Sequence, residues 1–145
     1  MATVSTSLAA RLSPTRAGFQ TAVAAASALG ALMLAGEAAV HIQQFASSYY
    51  AIRWIGPLFV ANAATCLTVI AGLAYHRTRP LAALAGVAIS VVALGSLVIS
   101  YGQGLFGWQE FGFRTAVALA VITEAGAAIL LSVALTLRIA PPQAK

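Results

Sequence analysis

Charge is what this chain has least of. Only 8% of its 145 residues are charged, and aspartate does not occur at all. A water-soluble domain carries about 25% charged residues, so a surface covered by solvent is excluded. Cysteine is almost missing too. Cys66 stands alone, which rules out an intrachain disulfide and any metal motif built on cysteine pairs. Without aspartate there is no Ser-His-Asp triad, and no phosphate-binding loop or dinucleotide fingerprint is present.

What the chain does have is long apolar runs. It is 61% hydrophobic, with a mean hydropathy of +0.91. A helical span needs about 20 apolar residues, and four runs qualify, over 17–44, 54–75, 81–101 and 114–137. They predict an all-α integral membrane protein, a four-transmembrane-helix up-down bundle forming one domain over 17–138. A polar arm (1–16) precedes it and a short basic tail (139–145) follows. A cleaved signal peptide is the competing reading of the first run, with a basic start and small residues near Ala35 to Ala39. The length of the run, and a helical stripe that continues through Glu37 and His41, favour a retained span.

The net charge of +5 does not indicate nucleic acid, because the basic residues are scattered singly between apolar runs. In a four-span arrangement Arg11, Arg16, Arg77, Arg79, Arg138 and Lys145 fall on one side and only Arg53 and Arg114 on the other. The excess of Lys and Arg predicts a plasma-membrane protein with both termini in the cytoplasm. Aromatics crowd the opposite side, with Phe45, Tyr49, Tyr50, Trp54, Tyr101, Phe106, Trp108, Phe111 and Phe113. Phe106 to Phe113 belong to a glycine-aromatic loop between the last two spans. It is expected to lie on the membrane surface over a pocket.

The polar residues inside the spans point to that pocket. An ionisable side chain in hydrocarbon costs roughly 2.5–3.5 kcal/mol on insertion scales, so it needs a partner or a purpose. Glu37 and His41 are four residues apart and share a helix face. At about 1.5 Å rise per residue, Glu37 lies some 10 Å, Asn62 some 12 Å and Glu124 some 15 Å below the outer ends of their helices. Ser96, Ser100 and Gln103 share a face of the third span, and Arg53 is placed to reach down toward Glu37. Glu37, His41, Asn62 and Glu124 are therefore the expected lining of an outward-facing pocket, with Ser96, Ser100, Gln103, Arg53 and Trp108 around it. Glu37 and His41 are expected to form a charged pair beside a protonated Glu124, because low dielectric disfavours two neighbouring charged carboxylates. The inner half offers small residues at four-residue spacing, Ala22-Ala26-Gly30 and Ala82-Gly86-Ser90, which read as close helix contacts.

Glu37, His41 and Glu124, with Asn62 or Cys66 as a fourth ligand, are also a candidate divalent metal set. The di-metal bundles use Glu-x-x-His on paired helices, a pattern this chain lacks. Haem is not expected, since His41 and His76 belong to opposite ends of the membrane. The stretches Glu37-Ala38-Ala39-Val40-His41 and Trp54-Ile55-Gly56-Pro57-Leu58-Phe59, together with Asn62, resemble small alanine-rich four-span bacterial membrane proteins of unassigned function. That resemblance implies no catalytic residues. The residues themselves favour a ligand-binding or accessory subunit, partnered by the lipid bilayer and by another membrane protein or a second copy of the chain. A metal- or cofactor-dependent membrane enzyme is the alternative, and a proton-coupled transporter a further one.

Overall fold

The computed structural model describes residues 16–139, and four helices account for most of them. They are α1 (Arg16–Ser47), α2 (Ile55–Ala74), α3 (Arg79–Gly102) and α4 (Thr115–Ile139). All four are long and apolar enough to cross a membrane, and no strand occurs among the described residues. The chain is an all-α four-helix bundle and a multi-pass membrane protein. The expected arm, except Arg16, and the tail beyond Ile139 lie outside the described residues.

The boundaries follow from local chemistry. At about 1.5 Å per residue, α1 is roughly 48 Å long against a hydrocarbon core of about 30 Å. It carries on past the expected end at residue 44 to Ser47, and the polar groups of Gln43, Gln44 and Ser47 suit the interface. A 3₁₀ turn (Tyr49–Ala51) then leads into α2, where Pro57 sits in the first turn and no amide is missed. The connection from α2 to α3 is tight. The Thr78 hydroxyl donates to the Gly72 carbonyl at 2.7 Å, and Arg79 Nε donates to the Leu73 carbonyl at 2.9 Å. Two of the open carbonyls at the end of α2 are thereby satisfied.

The loop from α3 to α4 is built differently. Leu105 and Trp108 exchange backbone hydrogen bonds of 2.6 and 2.9 Å. The two residues between them, Phe106 and Gly107, have φ of 50° and 81°. Positive φ at both central positions is the type I′ geometry. It strains Phe106 by about 1 kcal/mol or more and leaves its ring exposed.

In cross-section the order is α1, α2, α3, α4, with α1 packing most extensively on α4, and with α2 and α4 apart. The end carrying the 3₁₀ turn and the long loop is called the loop end here, and the opposite one the turn end. The turn-end half closes around Leu34, Val69, Leu73, Ala82, Ala83, Ala127 and Leu131. Leu131 fills the notch left by Gly30 and Gly86, and a Cβ at either glycine would collide with it. Polar residues there look after themselves, as Ser27 does by donating to the Val23 carbonyl at 2.8 Å.

Candidate functional site

Toward the loop end the packing opens into a cavity of about 240 Å³, walled by side chains from all four helices and the loop. Its floor is polar, with His41, Asn62 and Glu124, and its sides are mostly apolar, with Gln44, Thr65, Ser96 and Ser100 among them. Trp108 and Leu105 from the loop stand at its upper end beside Tyr49. Aromatic edges line one wall continuously. His41 meets Phe59 with ring centroids 5.0 Å apart, Phe59 meets Tyr49 at 4.8 Å and Tyr49 meets Trp108 at 5.7 Å. Edge-to-face contacts in this range are favourable.

The two intramembrane glutamates are treated in opposite ways. Glu37 is fully buried, and both of its oxygens are occupied. Oε1 accepts from Asn62 Nδ2 at 3.0 Å and Oε2 accepts from Ser90 Oγ at 2.7 Å. Asn62 is held in turn by the Cys66 thiol, which donates to Oδ1 at 3.4 Å. One carboxylate thus ties α1 to α2 and α3, and it lies behind the floor without lining the cavity. Glu124 is also buried, but its Oε2 has no hydrogen-bond partner among the described residues. Its Oε1 lies 3.8 Å from His41 Nε2, beyond hydrogen-bond reach.

The histidine links the two. His41 Nδ1 is 2.9 Å from the backbone carbonyl of Glu37. A carbonyl only accepts, so Nδ1 carries hydrogen. Nε2 then faces the Glu124 carboxyl across 3.8 Å.

At the rim the loop is pinned by a second polar cluster. The Tyr49 hydroxyl donates to Glu110 Oε2 and accepts from Arg114 at 2.6 Å. Arg114 also donates to Glu110 Oε1 at 2.8 Å. Burial, reinforced by the Glu110 hydrogen bond and charge, pushes the Tyr49 hydroxyl up to about 12.

Several sequence expectations are corrected. His41 turns its ring to Glu124, while the Glu37 carboxylate is taken by Asn62 and Ser90, so the expected Glu37–His41 charged pair does not form. Arg53 does not reach into the bundle. It is exposed, with its guanidinium 5.2 Å from the Trp54 ring. Gln103 is exposed at the end of α3, donating from its backbone to Ile99. No group of three His, Cys, Asp or Glu side chains among the described residues could hold a metal ion, so Glu37, His41 and Glu124 do not assemble as a ligand set. Trp108 separates from the other aromatics of its loop, pointing into the cavity while Phe106, Phe111 and Phe113 stay exposed.

Three participants escaped the sequence reading. Ser90 reads in sequence as a packing residue of the inner half, yet it is the second donor to Glu37. Gln44 is buried on the cavity wall, and its place seven residues after Glu37 and three after His41 carries that signal. Tyr49 reads in sequence as one of the interfacial aromatics, and its partners 61 and 65 residues away give no local cue. Comparison with known proteins adds nothing to this geometry: no family model, curated protein or solved structure matches the chain.

Proposed function

We propose that this protein binds a small molecule in the loop-end cavity, acting in the plasma membrane as a ligand-binding or accessory subunit. The cavity would face outward, with both termini in the cytoplasm. The orientation is supported by the excess of Lys and Arg on the side of the termini.

The observation that carries the reading is the treatment of Glu124. A buried polar atom without a hydrogen bond costs about 1–3 kcal/mol, and native proteins keep few of them. Glu124 Oε2 and Trp108 Nε1 are both buried without a partner among the described residues, and both side chains line the same cavity. A ligand that hydrogen-bonds at the floor and the upper end would satisfy both. The Glu124 carboxyl and the His41 ring lie side by side at the floor and offer polar contacts to a hydroxyl or carbonyl group.

Native mass spectrometry of protein released from a mild detergent tests the reading. The expected result is a bound small molecule that is retained by the parent chain and lost in Glu124→Leu. A parent chain that carries no ligand, and takes up none from a panel of hydrophobic alcohols and ketones, would contradict it.

A further inference from the structure

The walls of the cavity are not equally closed. Where α1 and α4 contribute, the lining is tight: His41, Gln44, Val117 and Glu124 are all buried. Across the cavity, α2 and α3 approach closely near the turn end. There a Cβ on Gly72 would meet Ala82, and one on Gly86 would meet Val69.

Moving from that contact toward the loop end, the same stripe of α2 presents Thr65, Ala61 and Leu58. The facing stripe of α3 presents Ile89, Val92 and Ser96. All six line the cavity. Leu58, Ala61, Thr65 and Val92 are also exposed on the outside of the bundle. A residue that borders an internal cavity and is also exposed on a lipid-facing flank marks the place where the cavity reaches the surface. The loop end, by contrast, is fastened by the cluster of Tyr49, Glu110 and Arg114.

We infer that the cavity is loaded sideways from the hydrocarbon layer, through the seam between the loop-end halves of α2 and α3. Its occupant is a lipid-soluble molecule whose carbonyl or hydroxyl head seats against Glu124. This rests on the ligand-binding reading above and narrows it. The seam is mostly apolar, with Leu58 and Ala61 on one side and Ile89 and Val92 on the other. The Thr65 hydroxyl is already spent on the Ala61 carbonyl at 2.8 Å. A charged or strongly hydrated molecule would have to shed its water to pass, whereas a membrane-dissolved one has none to lose. The cavity is small for a ligand site, so it admits the head and the first part of a chain. The remainder would lie in the seam among lipid tails.

The test uses the full chain in lipid nanodiscs, with Trp54→Phe so that Trp108 is the only tryptophan. The probe is a long-chain bromoalkanol, bromodecanol, which partitions into the bilayer and quenches tryptophan on contact. Quenching of Trp108 should saturate with the mole fraction of probe in the bilayer. Its half-saturation point should rise about tenfold or more in Glu124→Leu, as loss of one buried hydrogen bond requires. Ala61→Phe and Val92→Phe, which fill the seam without touching the floor, should slow the approach to saturation by about tenfold, as hindered access does. Leu67→Phe, on an exposed flank of α2 outside the cavity lining, should not.

Each variant is carried forward only if it elutes as the parent does, and two independent seam variants guard against loss of either one. Saturable quenching whose rate ignores both seam variants would overturn the lateral route and leave the binding reading intact. No saturable quenching, in a parent chain that co-purifies with a water-soluble molecule, would also overturn the inference alone. No saturable quenching together with no co-purifying molecule would sink both.

Discussion

The two halves of the bundle solve the problem of polar groups in lipid in contrasting ways. In the turn-end half, Ser27 and its like bond to their own helices, and the glycines at 30 and 86 let Leu131 close the centre. In the loop-end half, Glu124 and Trp108 are left with unmet hydrogen-bonding capacity beside open volume. Glu37 stands on the boundary and belongs to the first half by its bonding, since both its oxygens are satisfied from neighbouring helices. A buried carboxylate is therefore not in itself the mark of a binding site. The one with an oxygen left without a hydrogen-bond partner among the described residues is what supports the proposed site.

The largest effect should come from the packed half. Leu131→Ala removes a fully buried side chain from the centre of the turn-end core, and should cost about 2–5 kcal/mol. Thermal unfolding in detergent would show this as a large drop in Tm, with binding in the folded fraction unchanged. A loss of binding greater than the loss of folded protein would mean that the two halves are not separate.

The two glutamates provide the next comparison. Glu37→Gln turns one acceptor into a donor facing Asn62 or Ser90, and should cost about 1–3 kcal/mol. Glu124→Gln meets no such conflict, because Oε2 has no partner to offend, and should cost less than about 1 kcal/mol. Equal destabilisation by the two would erase the distinction.

How much of this the sequence disclosed follows the range of the interactions. Apolar run length is a local property, and the four helices and their loops were legible from it to within a few residues. The residues of the floor were legible as well, because polar side chains in spans are rare enough to single out His41, Asn62 and Glu124. Which of them bond to each other was not. Glu37 lies one turn from His41 in sequence, yet its carboxylate pairs with residues 25 and 53 positions away. The rotation of α3 that brings Ser90 inward is set by Gly86 seated against Leu131 and Val69. That contact between distant segments leaves no periodic trace stronger than a generic small-residue stripe. Arg53 fails for a simpler reason. It sits in an exposed connection where water and the Trp54 face satisfy its charge at less cost than a descent into the bundle.

A smaller effect is expected at the rim. Tyr49→Phe removes the hydroxyl shared by Glu110 and Arg114, and should cost about 1 kcal/mol. It should also change the alkaline limb of stability. Burial and the neighbouring Glu110 push the folded hydroxyl from its ordinary value of 10.0 up to about 12. Its contribution is therefore complete below the unfolded value and is lost as pH rises through the folded one. Tm measured from neutral pH into that range should fall less steeply in Tyr49→Phe than in the parent. Identical slopes would show that the cluster does not hold the loop.

Orientation involves no stability change. Cysteines introduced at Ser48 and Gly107 in a Cys66→Ala background should react with an impermeant thiol reagent on intact cells, and one at Thr78 only after lysis. Labelling of Thr78 from outside would reverse the bundle and turn the cavity toward the cytoplasm.

The central claim is that Glu124 is kept for a ligand and Glu37 for the fold, and Glu124→Leu tests it most directly. Leucine removes an unpartnered buried carboxyl and fills similar space, so the ligand-free protein should unfold at the same or a higher temperature. Stabilisation by the bromoalkanol, seen in the parent as a rise in Tm with probe concentration, should disappear. Glu37→Leu should do the reverse, lowering Tm by stranding Asn62 and Ser90 while leaving the probe-dependent rise in whatever remains folded. A Glu124→Leu protein that is less stable than the parent and still responds to the probe would contradict the account.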